Sequence, residues 1–119
     1  MQKTIKRGEI YYANLDPTVG SEQKGKRPVV ICQNEMGNKH SPTVVVAPIT
    51  AKLTKNPLPT HVKLYSGKFG ISQDSIILTE QIRTIDRQRL GDYVGTLDND
   101  ALARLDTALS VSVGIQEAH

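Results

Sequence analysis

The stretch Thr43-Val44-Val45-Val46-Ala47-Pro48-Ile49-Thr50 decides the fold. It is short and β-branched, and its apolar residues run on without the every-second-residue alternation of a half-exposed strand. That pattern predicts a strand covered on both faces, and therefore a central one. The runs around it are of the same kind. Residues 9–15, 28–33, 60–64, 75–85 and 93–97 are rich in Val, Ile, Thr and Tyr and are punctuated by Gly, Pro, Asn and Asp. In Thr60-His61-Val62-Lys63-Leu64 the alternation is strict, which sets Val62 and Leu64 on one face and His61 and Lys63 on the other. With 43–50 these runs make six strands, spaced so closely that a small barrel or a strongly bent sheet is expected.

The period changes after Leu97. Leu102, Leu105, Leu109 and Val113 recur at three- and four-residue steps with no Gly or Pro before Gly114, which predicts an amphipathic C-terminal helix. Asp98 suits its N-cap, Asp100 the positive end of its dipole, Leu97 a staple onto Leu102, and Gly114 its end. The fold class is thus mainly β with one C-terminal helix. A chain of 119 residues, 38% of them apolar, is enough for one core and makes a single domain, 1–119. Cys32 is the one cysteine; in Val29-Val30-Ile31-Cys32 it reads as a buried, inert thiol, which fits a reducing cytoplasm. No run approaches the roughly 18 apolar residues of a membrane helix, and the charged start Met1-Gln2-Lys3 leads into no apolar stretch. A soluble, cytoplasmic protein is expected.

The net charge of +3 is modest, but its distribution is uneven. Residues 1–60 hold nine basic and four acidic groups, whereas residues 61–119 hold six and eight. A polyanion would be drawn to the first half, although the same charges also suit solvated loop lysines. The connection 16–27 is longer than a plain hairpin needs, and it sets Lys24, Lys26 and Arg27 beside Ser21, Glu22 and Gln23. Arg27 stands directly before Pro28, so extended backbone anchors it at its root, and an anchored guanidinium can grip phosphate. Thr50 closes the central strand with its hydroxyl at the loop end; spacing alone gives it no role. In Glu80-Gln81-Ile82-Arg83-Thr84-Ile85-Asp86, a strand places Gln81 and Arg83 on one face, where they can read base edges or phosphate. Arg83 equally could pair with Glu80 or Asp86 and simply hold the sheet. His40, His61 and His119 are scattered without carboxylates or a thiol at ligand spacing, so no metal is assigned. No nucleophile elbow, P-loop or dinucleotide-binding glycine pattern occurs.

Taken together, Lys6-Arg7-Gly8-Glu9-Ile10-Tyr11-Tyr12, Gly20-Ser21-Glu22-Gln23, Lys26-Arg27-Pro28-Val29-Val30, Ala47-Pro48-Ile49-Thr50, Pro59-Thr60-His61-Val62 and Glu80-Gln81-Ile82-Arg83-Thr84-Ile85 resemble the MazF/PemK family of toxin endoribonucleases, nearly end to end. The resemblance implies a small SH3-like barrel, a homodimer, and a metal-independent enzyme that cuts single-stranded mRNA. It also implies inhibition by a cognate MazE-like antitoxin whose disordered tail wraps the dimer. Carried over by position, the family's catalytic arginine falls on Arg27 and its catalytic threonine on Thr50. Glu22 matches a position at the RNA groove, as Gln81 and Arg83 do; Ser21, Gln23, Lys24, Lys26 and His61 are the further RNA-binding candidates. The charges at Lys24 and Lys26, with Cys32 and Pro48, depart from the family pattern in ways that bear on specificity more than on activity.

Cleavage without metal uses the ribose 2′-OH as nucleophile, so the site needs a proton acceptor, a cation at the developing charge and a donor to the departing 5′-oxygen. Arg27 fits the cation, because a guanidinium does not readily lose a proton. Thr50 fits a donor to a non-bridging oxygen, and Glu22, or a water it orients, the acceptor. With four Tyr, one Phe and no Trp, base stacking is sparse and hydrogen bonds carry more of the recognition. Two other readings stand beside this one. Gyrase-poisoning toxins share the fold but resemble one another in a Trp-bearing helix end, whereas this sequence closes Ile115-Gln116-Glu117-Ala118-His119. A non-catalytic RNA-binding barrel is the other.

Overall fold

The run 43–50 is a strand, β3 (Thr43–Thr50), and it is central. In the computed structural model, which describes residues 4–54 and 56–117, the elements before it are β1 (Glu9–Asn14), β2 (Lys26–Ile31) and a short helix, α1 (Glu35–His40). After it come β4 (His61–Leu64), β5 (Ser75–Leu78), β6 (Arg83–Asp86), β7 (Leu90–Thr96) and α2 (Asn99–Ser112). The strands pair antiparallel in the order β4-β5-β3-β2-β1-β7, and β6 also pairs with β3. Along one edge of β3 the first half takes β6, Val44 opposite Ile85, and the second half takes β5, Ile49 opposite Ile77. The other edge takes β2.

That double pairing bends the sheet and gives it two buried faces. Val44 and Val46 pack on one face with Tyr11, Val29, Ile31, Ile85 and Leu90. Ala47 and Ile49 pack on the other with Val30, Ile77, Leu97 and Leu105, under α2. A strand buried on both faces has no solvent face to alternate toward, which is why 43–50 reads as continuous apolar sequence. The barrel is not sealed by a β6–β7 ladder. Instead, Arg83 Nη1 donates to the Leu15 carbonyl at 3.0 Å and Arg89 Nη1 to the Asn14 carbonyl at 3.0 Å, tying that corner to the end of β1.

Asp98 caps α2, its carboxylate accepting from the Ala101 N–H at 2.8 Å. Ala101, Leu105 and Ala108 are the buried positions, with Leu102 and Leu109 packed at the margin. Leu105 is fully buried, and its side chain contributes on the order of 2–3 kcal/mol. Val113, expected on the same stripe, is 55% exposed because the helix ends at Ser112, before Gly114 with φ +79°.

Three expectations need correction. The run 75–85 is two strands broken by a 3₁₀ turn, Thr79–Gln81, so there are seven strands among the described residues rather than six. The run 93–97 begins earlier, at Leu90. Helix α1 is additional; its six residues are too few to show an apolar period, and its one signal is the Asn34 cap, which accepts from the Gly37 N–H at 2.8 Å. The residues 1–3, Lys55, Ala118 and His119 lie outside those described, so what was expected of the N-terminus and of His119 does too.

Burial pushes the Cys32 thiol from 9.0 up to about 12. Burial first, and then its hydrogen bond to Glu9, pushes the Tyr11 phenol from 10.0 up to about 12. A raised folded-state value means that the stabilisation is complete below the unfolded-state value and disappears as pH rises toward the folded one. The melting temperature should therefore hold up to about pH 9 and fall from there to about pH 12. Tyr11→Phe should flatten the part of that fall above about pH 10; an unchanged profile would remove Tyr11 as a cause.

Candidate functional site

The connection between β1 and β2 does not stand out into solvent. It closes on itself where Leu15 N–H donates to the Gly25 carbonyl at 2.9 Å and Gly25 N–H to Asp16 Oδ1 at 3.1 Å. At its tip Glu22 makes a reciprocal pair with Val19, accepting its N–H on Oε1 at 2.9 Å and donating its own N–H to its carbonyl at 3.2 Å. Its far side is held by Gln81, whose Oε1 accepts the Gln23 N–H at 2.7 Å and whose Nε2 reaches the Ser21 carbonyl at 3.5 Å. The 3₁₀ turn that presents Gln81 is itself clamped, because Thr79 Oγ1 donates to the Thr60 carbonyl at 2.6 Å and Ser112 Oγ to the Thr79 carbonyl at 2.9 Å.

Between loop and turn lies a groove of about 520 Å³, lined by Ser21, Glu22 and Gln23, by Glu80, Gln81 and Arg83, and by Pro48 of β3. Five of the expected site residues thus come together across about sixty residues of sequence. Gln81 and Arg83 meet there although the strand that was to align them is broken: β6 supplies Arg83, and the turn supplies Gln81. Both are partly used internally. Arg83 bonds the Leu15 carbonyl rather than Glu80 or Asp86, and the Gln81 amide holds the loop.

Arg27 and Thr50 stand at the adjoining strand ends. The β2–β3 ladder ends with Val29 opposite Pro48, and the same antiparallel register carried two residues further sets Arg27 opposite Thr50. Alternation keeps both on the face of Val29 and Val46, the face to which Pro48 also belongs. Arg27 Nε donates to the Lys24 carbonyl at 2.8 Å, which fixes the guanidinium and leaves its two Nη groups without a partner among the described residues. Thr50 Oγ1 accepts the Lys52 N–H at 3.1 Å, so its own O–H is left to donate. The register thus directs an anchored cation and a hydroxyl donor to the same end of the β2–β3 pair, on the face of Pro48, while neither residue lines the groove that carries the carboxylates of Glu22 and Glu80.

The remaining candidates divide. Lys24 lends its carbonyl to Arg27, and Lys26 is exposed opposite Asn14. His61 stays outside the groove: Nδ1 accepts the Leu58 N–H at 3.2 Å and Nε2 meets Glu80 Oε2 at 3.1 Å, so it supports a groove residue. Pro48, Glu80 and Ile82 were missed as groove residues. Glu80 was legible as a neighbour of Gln81, but nothing in a strand pattern places two successive side chains in one groove; the 3₁₀ turn does. Among the described residues no group of three or more His, Cys, Asp or Glu is placed to hold a metal ion.

Removing the loop tether gives a direct test of this geometry. Gln81→Ala should leave the fold intact and speed hydrogen exchange at the Gln23 amide by about tenfold, the worth of one net hydrogen bond. Unchanged protection at Gln23 would mean that Gln81 does not hold the loop.

Residues 6–113 match the family described as PemK-like, MazF-like toxin of type II toxin-antitoxin system. Endoribonuclease EndoA of Bacillus subtilis (strain 168) is 50% identical over 111 residues, which cover 93% of this chain and 96% of that protein. MazF (Form-I) from Deinococcus radiodurans superposes with a TM-score of 0.80 at 24% identity, over 95% of this chain and 99% of that one. An endoribonuclease from a Mycobacterial species, solved in complex with its cognate antitoxin, superposes with a TM-score of 0.78 at 24% identity, over 96% and 99% of the two chains. The two superpositions bear out a mainly antiparallel sheet with a C-terminal helix.

Proposed function

We propose, on the premise that this chain belongs to the PemK-like, MazF-like toxins of type II toxin-antitoxin systems and is an endoribonuclease, that it cuts single-stranded mRNA at a short sequence motif, without a metal ion, through attack of the ribose 2′-OH. The O2′–P bond forms, the P–O5′ bond breaks, and the proton that leaves O2′ is balanced by one delivered to O5′. The products are a 2′,3′-cyclic phosphate and a 5′-OH. The observation that carries this reading is the β2–β3 register, which, carried beyond Val29 and Pro48, turns Arg27, its Nη groups uncommitted, toward Thr50, its O–H uncommitted. Arg27 stabilises the charge building on the phosphorane and donates toward the departing oxygen. Thr50 hydrogen-bonds a non-bridging oxygen. Glu22 keeps Oε2 to accept a proton directly or through a water, its Oε1 being held by Val19.

Base edges suit the groove better than phosphate does, since Glu22 and Glu80 repel anions but accept from the amino groups of bases. Phosphates belong on the Lys24, Lys26 and Arg27 side. The same cations suit an acidic, disordered segment of a MazE-like antitoxin, as the Mycobacterial relative solved with its cognate antitoxin supports. A homodimer in the cytoplasm is the form in which it acts. Among the described residues no helix is long and apolar enough to cross a membrane.

Incubating the purified protein with a long defined RNA and mapping the new 5′ ends tests the reading. One short motif should recur at every cut, undiminished by EDTA. Cutting that needed added Mg²⁺ would defeat it.

A further inference from the structure

Behind the ends of β2 and β3 lies a second, smaller cavity, of about 160 Å³. Pro28 and Ala51 line it, and these are the chain neighbours of Arg27 and Thr50. Strand alternation sends Arg27 and Thr50 to one face and these neighbours to the other, so the cavity sits one backbone's thickness from the site. Tyr12 faces Pro28 across the β1–β2 ladder and forms another wall. Tyr12 is 40% exposed, whereas the neighbouring Tyr11 is 4% exposed, and the Tyr12 hydroxyl has no partner among the described residues.

The opposite wall, from Gly70 to Ser75, is held against β7. A Cβ on Gly70 would fall 2.0 Å from the Val94 carbonyl oxygen, and one on Gly95 would fall 1.9 Å from the Phe69 carbonyl oxygen. Backbone thus lies directly on backbone, and only glycine fits at either position. Ser75 Oγ donates to the Gln73 carbonyl at 2.8 Å and Ser66 N–H to Asp74 Oδ1 at 2.8 Å, which fix the rest of the wall. The cavity is therefore preformed. Among the described residues the Gln73 amide and the Ser72 hydroxyl make no hydrogen bond, and no charged side chain lines the cavity.

These features select one occupant. An uncharged lining gives a phosphate no counter-charge, and the volume leaves no room for a peptide side chain together with its backbone. A single flat heterocycle fits, with its face on the Tyr12 and Pro28 rings and its edge toward the Gln73 amide, which offers both a donor and an acceptor. We propose that this cavity receives one unpaired base of the RNA, from a nucleotide flanking the scissile phosphate, and fixes the identity of that position in the cleavage motif. The proposal rests on the ribonuclease reading above.

The test uses a short RNA containing the wild-type motif, together with versions carrying one abasic nucleotide at each position around the cut. For the wild-type protein, one abasic position should raise KM by about tenfold, within the range measured for a base stacked on an aromatic ring. Tyr12→Ala should raise KM on the intact RNA by a similar factor and then be indifferent to that abasic position, because base and ring would have lost the same contact. Gln73→Ala, at an exposed residue whose loss spares the fold, should cut long RNA with that one position of the motif relaxed. Penalties from Tyr12→Ala and abasic sites that multiply at every position would overturn the proposal, as would an unchanged motif for Gln73→Ala. Those results would leave the ribonuclease reading standing; a wild-type protein that cut no RNA would remove both.

Discussion

Replacing Arg27 or Thr50 by alanine should leave a folded protein whose RNA cleavage falls by on the order of a hundredfold or more, the loss typical of one transition-state donor. The fold should survive because neither side chain is part of a core cluster. Each supplies one local hydrogen bond, Arg27 to the Lys24 carbonyl and Thr50 to the Lys52 N–H, and such a bond is worth about 1 kcal/mol net. Arg27→Lys should recover little. An ammonium retains the charge but cannot bond the Lys24 carbonyl through a root nitrogen while pointing two further donors at a phosphate. Thr50→Ser should recover most of the activity, because it keeps the O–H. Circular dichroism melts beside cleavage rates separate folding from chemistry. An Arg27→Ala protein that cut RNA at the wild-type rate would show that the catalytic assignment is wrong.

The parts of this geometry that the sequence carried are those fixed by local pattern. The unbroken apolar run of β3 reports two buried faces, and Asp98 followed by Leu102, Leu105 and Leu109 reports a capped helix with one buried face. Both signals depend on burial, which residue type records directly. The break at Thr79–Gln81 has no such record. Ile76, Ile77, Leu78, Ile82 and Ile85 look like one strand, and what turns the chain is tertiary: Thr79 is drawn to the Thr60 carbonyl and to the Ala108 carbonyl of α2. Motif resemblance placed Glu22, Gln81 and Arg83 in one groove, but not their duties inside it. The use of Gln81 to hold the loop and of His61 to hold Glu80 appears only when segments far apart in sequence are brought together. Register, by contrast, needed the ladder itself. Arg27 and Thr50 are 23 positions apart, and it is the register of Val29 with Pro48, carried two residues further, that directs one toward the other.

Removal of a single 2′-oxygen should separate binding from cleavage more sharply than any side-chain change. An RNA with one 2′-deoxy or 2′-O-methyl sugar on the 5′ side of the scissile phosphate keeps every phosphate for Arg27 and every base edge for the groove. It lacks only the attacking group, so it should bind nearly as well as the parent and resist cutting altogether. The same chemistry fixes the ends of the parent's products. Attack by O2′ retains the phosphate on the 3′ side of the upstream fragment as a cyclic diester and frees a 5′-OH on the downstream one, whereas attack by a metal-bound water would leave an open phosphate monoester. In the proposed mechanism Arg27 would supply the cation and Thr50 the neutral donor that a two-metal site would otherwise supply to the same oxygens. Kinase labelling of the products tells the two apart, because a 5′-OH end accepts phosphate at once and a 5′-phosphate end does not. Efficient cutting of the 2′-deoxy substrate, or products carrying a 5′-phosphate, would sink the mechanism even if Arg27 proved essential, for Arg27 would then be holding a phosphate that some other nucleophile attacks.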